Sequence, residues 1–385
     1  MKSDNLPATE AAADDLQAKW HSVVRRRAFL KGLGVAGAML PAGALLANGV
    51  KAAAGTAAGQ LTQGDAAVLR FLAAAEILET DLWQQYNELG GVNGGNAAYM
   101  AALQNLDGDM PQYITDNTDD EVSHAAFLNA YLTSRGAQPV NLDAFRTLQG
   151  SQATGAKKIK RLTNLQKLVV DTSFYTRYRS SENPDLGGTF TQAVYIKNQP
   201  AIPLNDTDTP PTTGQPVPPV TTAARRMQAI ANTAGFHFGY IEQGGASLYS
   251  SMALKVRDLE VLRIVISIGG VETDHFALWH DKLGNAVAQP LAGVTDPETG
   301  VTFPDLNNPA TELSQTNKIL PEPTDFLGTG LPEVSVIRPT LTANAGAVAT
   351  IKSFTADRLF DGQSQAFFDA VMALAAAADA AQRGF

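Results

Sequence analysis

The stretch DDEVSHAAFLNAYLTSR (residues 119–135) and the stretch IGGVETDHFALWHDKL (residues 268–283) decide the fold. Each contains a glutamate followed three residues later by a histidine. The two pairs are Glu121 with His124 and Glu272 with His275. Apolar residues continue the same spacing of three and four, which is typical of one face of a helix. Each pair is therefore predicted to direct a carboxylate and an imidazole from a helix toward the protein interior.

Four segments have the periodicity of long helices. They run from about Gln63 to Leu89, Asp119 to Arg135, Thr221 to Val256 and Asp258 to Leu283. The connections within the first and second pairs of helices are short enough for two antiparallel hairpins, and residues 136–220 return the chain across the bundle. One long crossover is typical of ferritin-like four-helix bundles, so the predicted class is all-α.

The apolar seams of these helices contain acidic residues, whose burial is costly unless something compensates for it. The first and third helices carry Glu76 and Glu242, which complement the two Glu-x-x-His pairs. One glutamate from each of two helices and Glu-x-x-His from the other two is the ligand set of di-iron and di-manganese carboxylate bundles. Four carboxylates and two divalent ions also sum to zero charge. The sequence thus predicts two iron ions, or manganese, with His124 and His275 each binding one.

The ligand on the first helix has an alternative. Both Glu76 and Glu79 lie on its seam, seven residues before Trp83 and Tyr86 respectively. When the apolar seams of the first and third helices are aligned, Glu76 takes the position of Glu242, and this favours Glu76 as the ligand. Glu79 then becomes a nearby acid, or a ligand in place of or in addition to Glu76.

Four short motifs resemble those of bacterial exported ferritin-like domain proteins related to plant desiccation-related proteins. They are Glu76-Ile-Leu-Glu79, Glu121-Val-Ser-His124-Ala-Ala-Phe-Leu, Tyr240-Ile-Glu242-Gln-Gly and Gly270-Val-Glu272-Thr-Asp-His275. The resemblance covers residues 63–135 and 221–284. It implies a ferritin-like fold, and it implies that the first glutamate of the helix-one pair, Glu76, is the usual ligand. It implies little about the reaction.

The N-terminus has the order of an export signal. Arg26, Arg27, Phe29, Leu30 and Lys31 precede a weakly apolar run and resemble the twin-arginine motif, although Arg25 replaces the usual Ser or Thr. The apolar run is too short and too mild to span a bilayer stably. An A-x-A site at Ala52–Ala54 would end the signal there. The expected partner in export is thus the twin-arginine machinery. The processed protein is expected in the periplasm or another extracytoplasmic location, without a stable membrane span.

Three regions are expected: a signal (1–54), the bundle with its crossover (55–285) and a loop-rich extension (286–385). The extension is predicted to end in a helix from about Thr355 to Gln382, after a short strand at Val334–Ile337. A further helix is predicted from Asn164 to Tyr178, before a Pro-rich stretch at 198–222.

Composition excludes several classes of protein. The chain of 385 residues has no cysteine, which removes disulfide scaffolds, thiol nucleophiles and cysteine-ligated metal sites. Its net charge of -9 argues against nucleic-acid binding. No nucleophile elbow, phosphate loop or dinucleotide fingerprint is present, so no organic cofactor and no catalytic group beyond the metal ligands is expected.

Three functions are compatible with these features. The first is an exported di-iron protein that reacts Fe(II) with oxygen or peroxide, in ferroxidase-like iron handling or peroxide removal. The second is a non-catalytic stress or desiccation-associated protein with a structural or vestigial metal site. The third is a scaffold that binds partners through its Pro-rich and C-terminal regions. His237 is expected to be structural. Tyr131, Tyr249 and Trp279 are expected to pack in the core, with a redox role beside the metals as the alternative.

Overall fold

Seven α-helices account for most of the backbone that the computed structural model describes. It describes residues 59–174, 192–208, 222–283, 291–305, 330–335 and 346–383, all of which lie in one compact unit. The helices are α1 (Gln63–Gly90), α2 (Ala97–Gln104), α3 (Met110–Ser134), α4 (Thr222–Ala253), α5 (Leu259–Leu283), α6 (Ala347–Ala356) and α7 (Gln365–Asp379). The long helices α1, α3, α4 and α5 form the expected four-helix bundle, in which α1 packs along α3 and α4 along α5.

Helix α1 is buried on nearly every side. Its N-terminus is capped by Thr62, whose Oγ1 accepts a hydrogen bond from the backbone N–H of Asp65 over 3.0 Å. Leu72, which lies four residues before Glu76 on the apolar seam, is fully buried. Phe71 and Ala73, which lie on other faces of the helix, are fully buried as well. A helix that is apolar all round needs partners on more than one face, and α1 therefore requires more cover than α3 supplies.

Helix α3 begins nine residues earlier than the sequence predicted. Asp119 and Asp120 resembled a start signal, but they lie inside the helix, which begins at Met110. Pro111 occupies the first turn, where its missing N–H costs no intrahelical hydrogen bond. The added turns place Asn117 on the inner face, one turn before Glu121.

The crossover contains short strands where a helix was expected. β1 (Leu148–Gln149) pairs antiparallel with β2 (Lys160–Arg161), and β3 (Leu168–Val170) pairs antiparallel with β4 (Ile196–Gln199). The predicted helix at Asn164–Tyr178 is wrong over residues 164–173, since the β-branched Val169 and Val170 favour the strand pairing. Residues 175–191 and 209–221, including part of the Pro-rich stretch, lie outside the described residues.

Asp81 of α1 attaches the crossover to the bundle. Its fully buried carboxylate accepts hydrogen bonds from the backbone N–H groups of Leu162 and Thr163, both over 2.9 Å. It also forms an ion pair of 2.6 Å with Arg146. A buried carboxylate with this many donors holds a loop that has little regular structure of its own.

Replacing Asp81 with Ala should lower the free energy of unfolding by about 3 kcal/mol, because it leaves buried donors unsatisfied. The matched control is Asp143→Ala. Asp143 pairs with the same Arg146 over 3.0 Å, but its side chain is 70% exposed, so its loss should cost less than about 0.5 kcal/mol. Urea unfolding of both variants measures the difference, and equal midpoints would contradict the anchoring role.

The C-terminal extension supplies the cover that α1 needs. The predicted helix at Thr355–Gln382 corresponds to α7 alone, because Thr355 and Ala356 end α6 and a turn around Gly362, which has a φ of 91°, separates the two helices. Helix α7 packs on α1 with its buried residues Phe367, Val371, Ala375 and Ala378. The predicted strand at Val334–Ile337 is a single bridge at Val334 in its described part, and residues 336–345 lie outside the description.

The N-terminus of α6 is held by the end of α7. The carboxylate of Asp379 accepts hydrogen bonds from the backbone N–H groups of Ala347 and Val348, each over 2.9 Å. These are donors that a helix start leaves without an intrahelical partner. The extension is therefore part of the folded core rather than an appendage to it. None of the described helices has both the length and the apolar character needed to cross a membrane.

Candidate metal centre

The four bundle helices direct six of the predicted side chains into one buried cluster. The four glutamates, one from each helix, are at most 1% exposed. They are Glu76 on α1, Glu121 on α3, Glu242 on α4 and Glu272 on α5. The imidazoles of His124 and His275 lie nearer the surface, with side chains 9% and 12% exposed. The cluster therefore lies just below the face formed by α3 and α5.

The cluster divides into two groups that share two members. Glu76, Glu121, His124 and Glu272 each place one ligand atom within 4.8 Å of the others. Glu121, Glu242, Glu272 and His275 do the same. Glu121 and Glu272 belong to both groups, whereas each remaining residue belongs to one. Two adjacent cation sites with two carboxylates between them are compatible with this arrangement.

The histidines turn the same ring nitrogen toward the carboxylates. Nδ1 of His124 lies 3.3 Å from Glu76 Oε2, 3.3 Å from Glu121 Oε2 and 3.5 Å from Glu272 Oε1. Nδ1 of His275 lies 3.2 Å from both Glu121 Oε1 and Glu242 Oε2. An imidazole nitrogen placed among carboxylate oxygens is the geometry of a mixed nitrogen and oxygen metal site.

Side chains behind the cluster fix the orientation of its members. Asn117 donates through Nδ2 to Glu121 Oε1 over 2.9 Å and to Glu242 Oε1 over 3.1 Å. Its Oδ1 accepts a hydrogen bond of 2.6 Å from Nε1 of Trp279. Asp120, whose side chain is half exposed, lies 3.1 Å from Nε2 of His275. Such outer contacts hold a histidine and a carboxylate in the orientation that a metal requires.

Two further residues shape the site at Glu76 and Glu272. Tyr249 donates its hydroxyl hydrogen bond to Glu76 Oε1. Gly245 faces Glu272 so closely that a Cβ at this position would lie 2.1 Å from Glu272 Oε2. The missing side chain of Gly245 leaves the space that the Glu272 carboxylate occupies.

Burial and mutual repulsion control the charges of the cluster. Burial and the charge of Glu121 raise the pKa of Glu76 to about 8. Burial raises the pKa of Glu272 well above its usual range, and neighbouring carboxylates add to this. Burial acts in the same direction on Glu121, but hydrogen bonds from His124 and His275 outweigh it and lower the pKa to about 2.

The histidines titrate in the opposite sense. Burial alone would lower the pKa of His124, but its close contacts with the carboxylates of Glu121 and Glu76 raise it to about 11. The pKa of His275 is raised as well, because the charge of Glu242 and hydrogen bonds to Asp120 and Glu121 exceed the effect of burial. Without bound cations, protons thus neutralise much of the negative charge of the cluster.

Comparison with known families agrees with this arrangement. A family model described as a ferritin-like domain matches residues 64–285, more than half of the 385-residue chain. The chain belongs to the ferritin-like domain family. No curated protein and no solved structure matches the chain significantly. The predicted fold class, a ferritin-like bundle with one long crossover and a loop-rich extension, is confirmed.

The cluster of the ferritin-like domain has oxygen atoms that lack protein donors. Glu76 Oε2 and both carboxylate oxygens of Glu272 are buried, and none has a hydrogen-bond partner among the described residues. The distances of 3.3 and 3.5 Å to His124 satisfy an ion-pair distance but not hydrogen-bond geometry. Buried carboxylate oxygens without donors are expensive unless a proton or cation compensates for them. The donor set therefore fits one or more hard or borderline metal ions.

Glu79 lies close to both groups but belongs to neither. It is 4% exposed, and its pKa is raised well above the usual range by burial and by the charges of Glu121, Glu76 and Glu242. Glu76 rather than Glu79 is thus the α1 carboxylate that lies in the cluster, at the position that the seam alignment favoured.

Glu79→Gln should therefore leave the metal content unchanged, whereas Glu76→Gln should reduce it by about one ion per chain. Both substitutions remove one buried carboxylate from α1 and preserve volume, so each serves as the control for the other. Elemental analysis of the two purified variants measures the effect. Metal loss from the Glu79 variant alone would reverse the assignment.

Two contributors to the site were missed from the sequence. Asn117 lies four residues before Glu121 and extends the spacing of four and three, but the late predicted start of α3 excluded it. Asp120 is adjacent to Glu121 and carries no periodic signal. The sequence placed Tyr249 and Trp279 on the seams of the ferritin-like domain, but it did not predict their hydrogen bonds to Glu76 and Asn117.

An open groove lies on the α3 and α5 face of the ferritin-like domain, one helical turn from the cluster. It has a volume of about 380 Å³, and Phe127 and Ile268 line it. Phe127 follows His124 by three residues, and Ile268 precedes Glu272 by four.

Proposed function

We propose that this protein is an exported di-iron, or di-manganese, carboxylate protein that reacts Fe(II) with oxygen or peroxide. The observation that carries the proposal is the pair of buried ligand groups sharing Glu121 and Glu272. Two carboxylates common to both groups would hold two cations at a short separation. Two metal ions placed in this way can act together on one substrate. Ferroxidase-like iron detoxification or peroxide removal are the corresponding roles.

Each residue has a distinct part in this proposal. Glu121 and Glu272 would bridge the two ions. Glu76 with His124 would complete one site, and Glu242 with His275 would complete the other. When bound, the metal pair would supply the electron-transfer chemistry that these side chains lack. The protein itself holds the carboxylates apart from water, and it orients them through Asn117 and Tyr249.

Iron or manganese is favoured by the donor set and by charge. Carboxylate oxygen and imidazole nitrogen suit these metals, and the softer thiolate ligands that other metals prefer are absent from a chain without cysteine. The four negative charges of the ligand carboxylates balance the four positive charges of two divalent cations. The protons that neutralise the cluster in the absence of metal would then be released.

Export is the second part of the proposal. Arg26, Arg27, Phe29, Leu30 and Lys31 support a twin-arginine signal, and the motif lies outside the described residues. Passage of a folded chain would let the protein acquire its metals before it crosses the membrane. The mature chain from residue 55 would carry a net charge of -12, which would attract cations. Cell fractionation tests this part independently of metal binding.

Anaerobic titration of the purified protein with Fe(II) tests the metal function. Binding should saturate near two ions per chain, and oxygen or peroxide should then convert the bound Fe(II) to Fe(III), as Mössbauer spectra would show. The double variant Glu121→Ala/Glu272→Ala should do neither. Glu298→Ala removes a carboxylate that is 61% exposed and should behave like the unmodified chain. No iron uptake would overturn the proposal, and full activity in the double variant would place the chemistry elsewhere.

Metal affinity should rise as the pH is raised from 6 to 8. In the metal-free cluster the pKa of Glu76 is about 8 and that of His124 about 11, so both hold a proton at pH 6 that metal must displace. Each proton released makes the affinity rise by about tenfold per pH unit. Competition titrations with Mn(II) and a chelator measure the slope, since Mn(II) resists oxidation by air. An affinity independent of pH would contradict this charge assignment.

The alternative is a non-catalytic ferritin-like protein with a structural or vestigial metal site. It is favoured by the contacts of 3.2–3.5 Å between the imidazoles and the carboxylates, which would hold the cluster together without metal. In that case Fe(II) would bind and stabilise the folded protein without reacting with oxygen, or it would not bind at all.

A further inference from the structure

A tyrosine and a histidine form an isolated hydrogen-bonded pair in the core. The hydroxyl of Tyr86 on α1 and Nδ1 of His237 on α4 are 2.7 Å apart. Tyr86 is fully buried and His237 is 1% exposed. Nε2 of His237 has no hydrogen-bond partner among the described residues. The pair is therefore a phenol facing a base that no other polar group engages.

The charge states of the pair follow from its burial. Burial lowers the pKa of His237 to about 3, so its ring is neutral at physiological pH. Burial also raises the pKa of Tyr86 well above its usual value, so its hydroxyl keeps its proton. With the ring proton of His237 on Nε2, the hydroxyl donates to Nδ1. Proton transfer between the two ground-state groups is unfavourable, but Nδ1 is placed to receive the proton if the phenol becomes more acidic.

A column of aromatic rings joins this pair to the metal cluster. The ring centroids of Tyr86 and Trp83 are 5.7 Å apart, and Trp83 stacks on Trp279 at 5.4 Å with an interplanar angle of 20°. Trp279 in turn donates to Asn117, which donates to Glu121 and Glu242. The route from the cluster to Tyr86 is thus continuous through packed rings and hydrogen bonds.

Tyr86 differs from the other rings of the column in having a base. Nε1 of Trp83 has no hydrogen-bond partner in the described part of the chain, and Nε1 of Trp279 donates to an amide oxygen, which is a poor proton acceptor. Loss of an electron from either tryptophan would leave an indole cation whose N–H proton has no base to receive it. Loss of an electron from Tyr86 can instead be accompanied by movement of its proton to His237.

We propose that Tyr86 is a redox-active residue that gives one electron to the oxidised metal pair through Trp83 and Trp279 while its hydroxyl proton moves to Nδ1 of His237. The proposal rests on the proposed metal function, in which oxygen or peroxide is the oxidant of the metals. The O–H bond of Tyr86 breaks and an N–H bond forms on His237. The products are a neutral tyrosyl radical, an imidazolium and a metal pair reduced by one electron. A one-electron donor reverses the change, and the proton returns to Tyr86.

Flash photolysis of the metal-free protein tests the pair separately from the metals. The chain has three tryptophans, and Trp20→Phe in the full-length protein leaves only Trp83 and Trp279. A near-ultraviolet flash that tryptophan absorbs and tyrosine does not will eject an electron from this column. The indolyl radical should then decay as a tyrosyl radical appears, followed by transient absorption and by electron paramagnetic resonance.

Variants identify the tyrosine and the base. Tyr86→Phe should abolish the tyrosyl signal and lengthen the indolyl lifetime by at least about tenfold, and His237→Gln should slow the conversion by a similar factor. The matched control is Tyr99→Phe. Tyr99 is equally buried, but it donates to the carbonyl oxygen of Ala201 over 2.7 Å, which cannot take up a proton. Its removal should change neither signal.

Two results would overturn the proposal whether or not the variants fold. The first is a conversion rate in the parent protein that is equal in H₂O and D₂O, since transfer of the hydroxyl proton should make the rate at least about twofold slower in D₂O. The second is a tyrosyl signal that appears after the flash but not when Fe(II)-loaded protein meets oxygen or peroxide. Failure of the metal function itself would be seen separately, as absent iron uptake in the anaerobic titration.

Discussion

Replacing Glu121 or Glu272 with Gln should remove both metal ions from the bundle, whereas replacing Glu76 or Glu242 should remove only one. The two proposed bridging carboxylates belong to both ligand groups, and the two proposed terminal carboxylates belong to one group each. Loss of a bridge therefore weakens both sites together. Metal content should fall from about two ions to fewer than one per chain in the bridging variants and to about one in the terminal variants.

The stability of each metal-free variant can be measured separately from its metal content. Burial raises the pKa of Glu76 to about 8 and that of Glu272 well above its usual range, so a neutral amide resembles the form that each of these residues adopts without metal. The metal-free Glu76 and Glu272 variants should thus unfold at temperatures equal to or above that of the parent protein. Glu121→Gln removes the ionised partner of both imidazoles and should unfold at a lower temperature. Calorimetry checks this, and elemental analysis with anaerobic Fe(II) titration gives the metal content. Equal losses in all four variants would mean that no carboxylate is shared.

Gly245→Ala should weaken the binding of both metal ions while leaving the fold in place. The added Cβ would lie 2.1 Å from Oε2 of Glu272 and 3.0 Å from its Cδ. The carboxylate is the flexible end of a side chain and can turn away, so the cost to stability should be about 1–3 kcal/mol. The turned carboxylate can no longer bridge, and metal affinity should fall by at least about tenfold for both ions.

Two glycines provide the controls for this substitution. Gly235 lies in the same helix, and a Cβ there would meet Leu283 Cδ1 at 3.0 Å, away from every predicted ligand. Gly270 lies in α5, and a Cβ there would have no neighbouring atom within 4 Å, so Ala should raise stability by up to about 1 kcal/mol. Both variants should keep their metal. Unfolding curves and metal analysis test all three, and a Gly245 variant that retained both ions would rule out this placement of Glu272.

The C-terminal helix α7 packs on α1, a contact that sequence periodicity did not predict. Helix α7 is rich in alanine and looked like a separate terminal helix after loops. Its buried residues instead cover α1, whose apolar residues extend beyond the side that faces α3. The apolar residues around α1 were a signal that α1 needs several partners, but they did not identify α7 as one of them.

Local periodicity alone determined the four bundle helices and the seven candidate acidic and imidazole residues. Helical spacing of three and four places side chains on one face irrespective of what packs there, and charged residues within an apolar face need compensation wherever the helix docks. Six of those residues meet in one cluster, and the seventh, Glu79, lies beside it. The same logic extended one turn further would have included Asn117.

Only the tertiary structure decided how the ligand residues are grouped. In the sequence, Glu121 and Glu272 differ from Glu76 and Glu242 by the histidine three residues later, but nothing there marks them as members of both groups. The register between helices places Glu121 and Glu272 between the two groups and gives Glu76 to His124 and Glu242 to His275. Register depends on side-chain packing between segments far apart in the chain, such as Gly245 against Glu272, and no periodicity within one helix encodes it.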